Sequence, residues 1–66
     1  MLGVVLPTLL NPTFAECLQG IARAAIAGGY AIIPVTTGYR IEEEERAVHL
    51  LLAGSVDGLI LLVSTP

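Results

Sequence analysis

The chain has 66 residues, of which 55% are hydrophobic, and it carries a formal net charge of −3. A domain of this size buries only about 60% of the surface of its unfolded chain, so this apolar content predicts a fragment of a larger unit or, less favoured, a protomer that associates. The chain has six acidic residues and only three basic ones, which are arginines and are not clustered. This composition argues against a nucleic-acid surface on this segment.

Nothing in the chain indicates secretion or a membrane span. The single cysteine, Cys17, cannot form an internal disulfide, and we interpret it as a small buried hydrophobe rather than a reactive thiol. Pro7 interrupts the first apolar run, and no basic segment precedes that run. The apolar stretch 21–35 is shorter than the ~20 residues that a span needs. A soluble, cytoplasmic protein is expected.

The chain begins with a strand and a helix. Leu2–Leu6 is a short apolar run bounded by Pro7, which is typical of a strand buried on both faces. Asn11 is a predicted N-cap and Pro12 suits the first helical position. Glycines 28 and 29 end this helix. Its apolar face is predicted to comprise Phe14, Cys17, Leu18, Ile21 and Ala25.

A second strand is predicted at 30–35, and Pro34 makes it an edge strand because proline cannot donate to a sheet. After a loop at 36–39, a second helix is predicted from about Arg40. Its predicted apolar positions are Ile41, Val48, Leu51 and Leu52.

Acidic residues crowd the first turn of the second helix. Consecutive helical side chains point about 100° apart, so the run 42–45 is interpreted as a solvated turn rather than a metal or acid/base cluster. Glu42 is placed to pair with Arg46, and His49 is expected to be a surface residue.

A turn at Asp57–Gly58 is predicted to precede a third strand at 59–63, which completes a β-α-β-α-β chain. Connections of this length favour right-handed crossovers and a parallel sheet. With the second strand at an edge, the strand order is 2-1-3 and the two helices lie on opposite faces. The fold class is therefore α/β, a βαβαβ fragment of a three-layer doubly wound sheet.

In such sheets ligands bind beyond the carboxyl ends of the strands, where the direction of winding reverses. Three loops reach that edge, at 7–14, 36–39 and 64–66, and they carry amide, hydroxyl and aromatic groups. No glycine-rich phosphate motif occurs, and the lone histidine lies within a helix, away from these loops. An enzyme, a cofactor site and a metal site are not predicted.

Two motifs carry a family resemblance: Asn11-Pro12-Thr13-Phe14, and the later run Val56-Asp57-Gly58-Leu59-Ile60. In this order and spacing, the whole chain resembles the effector-binding domain of LacI/GalR-family transcription regulators. The resemblance implies the type I periplasmic binding protein fold, in which two subdomains close over a small ligand. It further implies that residues 1–66 are part of the N-terminal subdomain, with the DNA-binding headpiece and second subdomain absent.

The resemblance also implies a dimeric repressor that responds to a sugar or sugar acid and binds DNA only through the absent headpiece. Contact with that effector is implied for Asn11, Thr13 and Phe14, although many members have an aromatic residue where this chain has Thr13. Ser64 and Thr65 of the third loop are further candidates. The residues predicted for the dimer interface are Ala22, Ile32, Ile33 and Val35.

Structural alternatives stay open for these residues. Asn11 is equally explained as a helix cap, Phe14 as a core residue, and Ser64 and Thr65 as residues at a strand end. The dimer residues are also explained by packing within one subunit. For the function, the alternatives are a periplasmic sugar-binding protein of an ABC transporter and a fragment of an α/β enzyme.

Overall fold

The computed structural model describes residues 1–62, which form three strands and two helices. Their order is β1 (Leu2–Leu6), α1 (Pro12–Ala27), β2 (Ile32–Thr36), α2 (Ile41–Ala53) and β3 (Gly58–Leu61). In this part of the chain, neither helix is long and apolar enough to cross a membrane.

The three strands form one parallel sheet in the order β2-β1-β3, which confirms the predicted topology. Val5 of the central strand lies opposite Val35 of β2 and Leu61 of β3. The bounds of β1 agree with the prediction. β2 begins two residues later than predicted, because the Tyr30 N–H donates to the Ala25 carbonyl at the end of α1 (2.8 Å).

The predicted edge position of β2 is confirmed, and Pro34 lies within that strand. The Thr37 N–H donates to the Leu6 carbonyl (3.0 Å), and backbone polar groups point to alternate sides along a strand. Odd-numbered residues of β2 therefore bond to β1, while Pro34 faces outward. Its missing N–H removes no hydrogen bond from the sheet.

One face of the sheet packs closely against α2. Val5, Ala47 and Leu51 form a buried cluster, and half-buried residues of both edge strands surround it, namely Ile33, Val35 and Leu59 together with Val48 and Val56. Gly3 lies beneath Leu51, since a Cβ atom at position 3 would stand 2.8 Å from Leu51 Cδ1. A glycine at position 3 thus lets α2 approach the central strand.

The opposite face carries α1, as predicted, but the fit is looser. Ala25 is the buried residue of this helix. Beside it opens an apolar cavity of about 330 Å³, lined by Leu2, Ile21, Ala24, Ala25, Gly28, Tyr30 and Ile60. The α1 face is therefore only partly covered at the amino ends of the strands.

Several side-chain predictions were wrong. Cys17 is exposed, as are Ile41 and Leu52 of α2. The two α2 residues lie about 80–100° around the helix axis from the buried Leu51, at the margin of the apolar face. Cys17 is similarly displaced on α1. Arg46 contacts Glu43 (Nη1 to Oε1, 3.8 Å) instead of the predicted Glu42.

The third strand also differs from the prediction. Gly58 belongs to β3 and lies opposite Leu2, whereas a turn was predicted there. β3 ends at Leu61, and Val63, predicted as its last residue, lies outside the described residues.

Candidate functional site

The carboxyl ends of the three strands lie at one edge of the sheet, as they must in a parallel sheet. α1 leads the chain from β1 to one side, and α2 then crosses to the other side of β1. The direction of winding reverses between β1 and β3, which is where open α/β sheets bind ligands. Two loops at this edge are described, the first loop (7–11) and the second loop (37–40).

Two side chains order the first loop. The Thr8 hydroxyl accepts a hydrogen bond from the Leu10 N–H (3.1 Å), which forms a short turn. Asn11 Oδ1 then accepts from the Thr13 N–H (2.9 Å) and caps α1, as predicted. A loop held by its own side chains loses little conformational freedom when a ligand binds.

The cap determines what Asn11 can offer to a ligand. Its carbonyl oxygen already bonds to the backbone, so the Nδ2 amide group, a donor of two hydrogen bonds, is the part of this exposed side chain best placed for a partner. The neighbouring Thr13 is exposed and Phe14 is half-buried. The structure thus places Asn11, Thr13 and Phe14 together at the start of α1.

The second loop is joined to the first by a backbone hydrogen bond. The Gly38 N–H donates to the Pro7 carbonyl (2.8 Å), and Thr37 is buried, with 7% of its surface exposed. Gly38 and Tyr39 both have positive φ, 63° and 65°. This contact between the loops was not predicted from the sequence, although Gly38 is a turn signal.

The two helix starts differ in charge. The first turn of α1 has no acidic residue, whereas that of α2 carries Glu42, Glu43 and Glu44. A helix N-terminus carries a partial positive charge, which these glutamates offset on α2 and nothing offsets in the first turn of α1. With Asn11 as a donor, this end of α1 favours a ligand group that accepts hydrogen bonds.

Leu10, in the first loop, is largely exposed to solvent, with 93% of its surface accessible. Residues 1–62 bring together no group of three His, Cys, Asp or Glu side chains able to hold a metal ion. Polar donors beside an exposed apolar side chain are typical of small-molecule sites, which use few polar groups to orient a ligand.

The remaining predicted positions are more dispersed. Ser64 and Thr65 lie outside the described residues. Ala22 and Ile32 are half-buried, while Ile33 and Val35 pack against the core beneath α2. The four residues predicted for a dimer interface therefore occupy two different environments.

Comparison with known proteins gives a match along the whole chain. Residues 1–66 match the family model described as periplasmic binding proteins and sugar binding domain of LacI family. The HTH-type transcriptional regulator GntR of Escherichia coli (strain K12) is 41% identical over 64 residues, which is 97% of this chain and 19% of that protein.

Two further relatives cover similar regions. The uncharacterized HTH-type transcriptional regulator YkvZ of Bacillus subtilis (strain 168) is 45% identical over 91% of this chain, and the ribose operon repressor of Halalkalibacterium halodurans is 33% identical over 97% of it. In both cases the match covers 19% of the relative. The chain thus spans about a fifth of the length of the curated relatives that it matches.

Proposed function

The chain belongs to the family of periplasmic binding proteins and LacI-type sugar-binding domains, and we propose that it is part of the effector-sensing domain of a bacterial transcription regulator. The observation that carries this proposal is the near-complete coverage of the chain by relatives that are transcription regulators. The same relatives favour a regulator over the alternatives, a transporter's sugar-binding protein and an enzyme.

The whole regulator would work in the cytoplasm as a dimer and would bind DNA through a helix-turn-helix headpiece outside residues 1–66. A second subdomain, also outside them, would supply the opposite wall of the ligand cleft. The effector class is a sugar or related metabolite, which agrees with relatives named as ribose and sucrose operon repressors.

Within the site, we assign the effector contacts to Asn11, Thr13 and Phe14, with Ser64 and Thr65 as further candidates. Asn11 donates through Nδ2 to an oxygen of the effector while its Oδ1 caps α1. Sugars present many acceptor oxygens and an apolar ring face, so Phe14 is suited to pack against the ring. The geometry of the first loop and the uncompensated start of α1 support this assignment.

For the dimer, Ala22 and Ile32 are the better candidates of the four predicted residues. Both are half-buried on or near the loosely packed α1 side. Ile33 and Val35 contribute to the α2 core, so their role in an interface would require contact through their remaining exposed surface.

The regulator proposal is tested by the reading frame that contains this sequence. A basic helix-turn-helix segment is expected roughly 60 residues before Leu2. A secretory signal at that place would overturn the proposal in favour of a periplasmic binding protein.

The role of Asn11 is tested in the protein that this reading frame encodes. Asn11→Asp keeps a good N-cap but replaces the amide donor with an acceptor. We expect unchanged urea unfolding and an effector affinity reduced by at least about 10-fold, because the ligand oxygen loses its donor and meets a carboxylate. Asn11→Ala, as the control, removes both the cap and the donor.

Equal effector affinity in Asn11→Asp and the parent protein, measured by calorimetry, would contradict a donor role for Asn11. The 66-residue chain alone is expected to bind monosaccharides too weakly to measure, because it supplies one wall of a cleft. Sub-millimolar binding by this chain would show that the site is complete without a second wall.

A further inference from the structure

The first loop is fixed at both of its ends. At the end of β1, Pro7 is buried and its carbonyl accepts a hydrogen bond from the Gly38 N–H of the second loop (2.8 Å). At the start of α1, Asn11 Oδ1 accepts from the Thr13 N–H (2.9 Å). Any change in the position of one end relative to the other must therefore come from the middle of the loop, residues 8–10.

Thr8 holds this middle part in a turn. Its hydroxyl oxygen accepts a hydrogen bond from the Leu10 N–H (3.1 Å), and its side chain is half-buried. Because threonine is branched at Cβ, few rotamers about χ1 are open to it, which keeps the hydroxyl in place. The bond thus joins the first residue of the middle part to the last.

The position of Asn11 relative to the sheet depends on this turn. Ala25, the buried residue of α1, lies about 21 Å from Asn11 along the helix. The residues of α1 closer to Asn11 are half-buried or exposed. A tilt of about 5° at Ala25 would move Asn11 by about 2 Å, which exceeds the roughly 0.5 Å within which a binding group has to be held.

We propose that Thr8 is a positioning residue of the effector site, and this inference rests on the proposed function. The Thr8 hydroxyl holds the first loop in the shape that presents Asn11 Nδ2 to an oxygen of the effector, and Thr8 itself does not contact the effector. When the turn opens, Asn11 still caps α1 but is displaced from the site. The apparent dissociation constant is then the intrinsic constant divided by the fraction of molecules with a closed turn.

Substitutions at Thr8 test this role in the whole protein that the reading frame encodes. Thr8→Val keeps the branched shape but removes the acceptor, and the lost hydrogen bond should weaken effector binding about 3- to 10-fold. Thr8→Ser keeps the acceptor and should weaken binding less than about 2-fold. Thr8→Ala also removes the acceptor and replaces Thr8→Val if that variant does not fold.

The binding measurement uses sugars of two chemical classes. Ribose and sucrose are the neutral probes, gluconate and glucuronate are the acidic ones, and calorimetry gives the affinity of the parent protein and each variant. Thr36→Val is the matched control, because it makes the same change at an exposed threonine at the end of β2. Its affinity for the probe should equal that of the parent protein. Urea unfolding of each variant checks that the fold is intact.

Rate constants separate positioning from contact. A smaller fraction of closed turns lowers the apparent association rate constant of Thr8→Val by the same factor as the affinity and leaves the dissociation rate constant unchanged. Asn11→Asp, which alters a proposed contact, should instead raise the dissociation rate constant. Stopped-flow mixing with the tightest-binding probe, followed by protein fluorescence, measures both constants.

Three results would overturn the positioning role while the proposed function stands. The first is parent-like affinity in Thr8→Val, and the second is an equal loss of affinity in Thr8→Ser and Thr8→Val. The third is a loss in Thr8→Val that appears in the dissociation rate constant, since Thr8 would then be a contact. If the parent protein binds none of the four probes, the proposed sugar-sensing function fails, and this inference fails with it.

Discussion

α1 and α2 cover opposite faces of the same central strand, but they are attached to it differently. α2 buries Ala47 and Leu51 against Val5 and has no side-chain cap. α1 is capped by Asn11 and preceded by an ordered loop, yet it buries Ala25 alone and borders an open cavity. α2 is thus held chiefly by packing, and α1 depends more on local bonds at its start, the end that carries the candidate site.

Truncation of one leucine in each helix should give the largest difference in the stability that the two helices lose. Leu51→Ala is expected to destabilise the fold by about 2–4 kcal/mol, because Leu51 is buried against the sheet. Leu18→Ala, the same change at a half-buried position of α1, should cost only about 1 kcal/mol. Urea unfolding followed by circular dichroism compares the two variants. Equal costs would show that α1 is packed as firmly as α2.

Alanine in place of glycine tests the close approach of α2. Gly3→Ala puts a methyl group 2.8 Å from Leu51 Cδ1 and 3.0 Å from Leu59 Cδ2, and the repacking should cost about 1–2 kcal/mol. Gly20→Ala is the matched change in α1, where no atom lies within 4 Å of the new methyl group. That variant should be more stable by about 0.5–1 kcal/mol, because alanine favours the helix. Both are measured by thermal unfolding, and a stabilising Gly3→Ala would contradict tight packing beneath α2.

The caps provide a third comparison, with effects of opposite sign. Asn11→Ala removes the bond to the Thr13 N–H and should cost about 1 kcal/mol. Arg40→Ser introduces a capping hydroxyl at the start of α2, where the present residue makes no side-chain cap, and should stabilise by about 0.5 kcal/mol. Exchange rates of the amides in each first turn report these local changes. No change in the α1 amides of Asn11→Ala would show that packing, not the cap, holds this helix start.

The smallest expected effect on stability comes from filling the cavity beside α1. Ala24 lines it, and Ala24→Leu should partly fill it and raise the free energy of unfolding by about 0.5 kcal/mol. The control is Ala53→Leu, at the last residue of α2, which is exposed and does not line this cavity. If both variants gain the same stability in urea, the gain comes from general hydrophobicity and not from the cavity.

Much of the fold was predictable because its signals are local. Asn11 and Pro12 specify where α1 begins, Gly28 ends it, and Pro7 bounds β1. Pro34 is also a local signal, because it places β2 at an edge of the sheet. With β2 at an edge, 2-1-3 is the natural order of the three strands. The family resemblance carried by the Asn11–Phe14 and Val56–Ile60 motifs is confirmed by the match along residues 1–66.

The candidate site was only partly predictable. The cap by Asn11 and its position beside Thr13 and Phe14 follow from the order of residues at the end of β1. The sequence does not specify which way the Thr8 hydroxyl points, so the turn that it forms with the Leu10 N–H was not predicted. It also does not show that the Gly38 N–H bonds to the Pro7 carbonyl, because these two groups lie in separate loops. Exposure of Cys17 was mispredicted for a similar reason, because a periodic pattern locates an apolar face only to within about one residue position.

By itself, then, the sequence determined the kind of each element, most of its bounds and the order of the strands, because caps, breakers and apolar runs act within a few residues of where they stand. Tertiary structure decided how far each helix rotates on the sheet and which side chains close the α2 face. Those outcomes depend on contacts between residues distant in the chain, such as Gly3 with Leu51 and Pro7 with Gly38. Such contacts exist only when the strands and helices have come together.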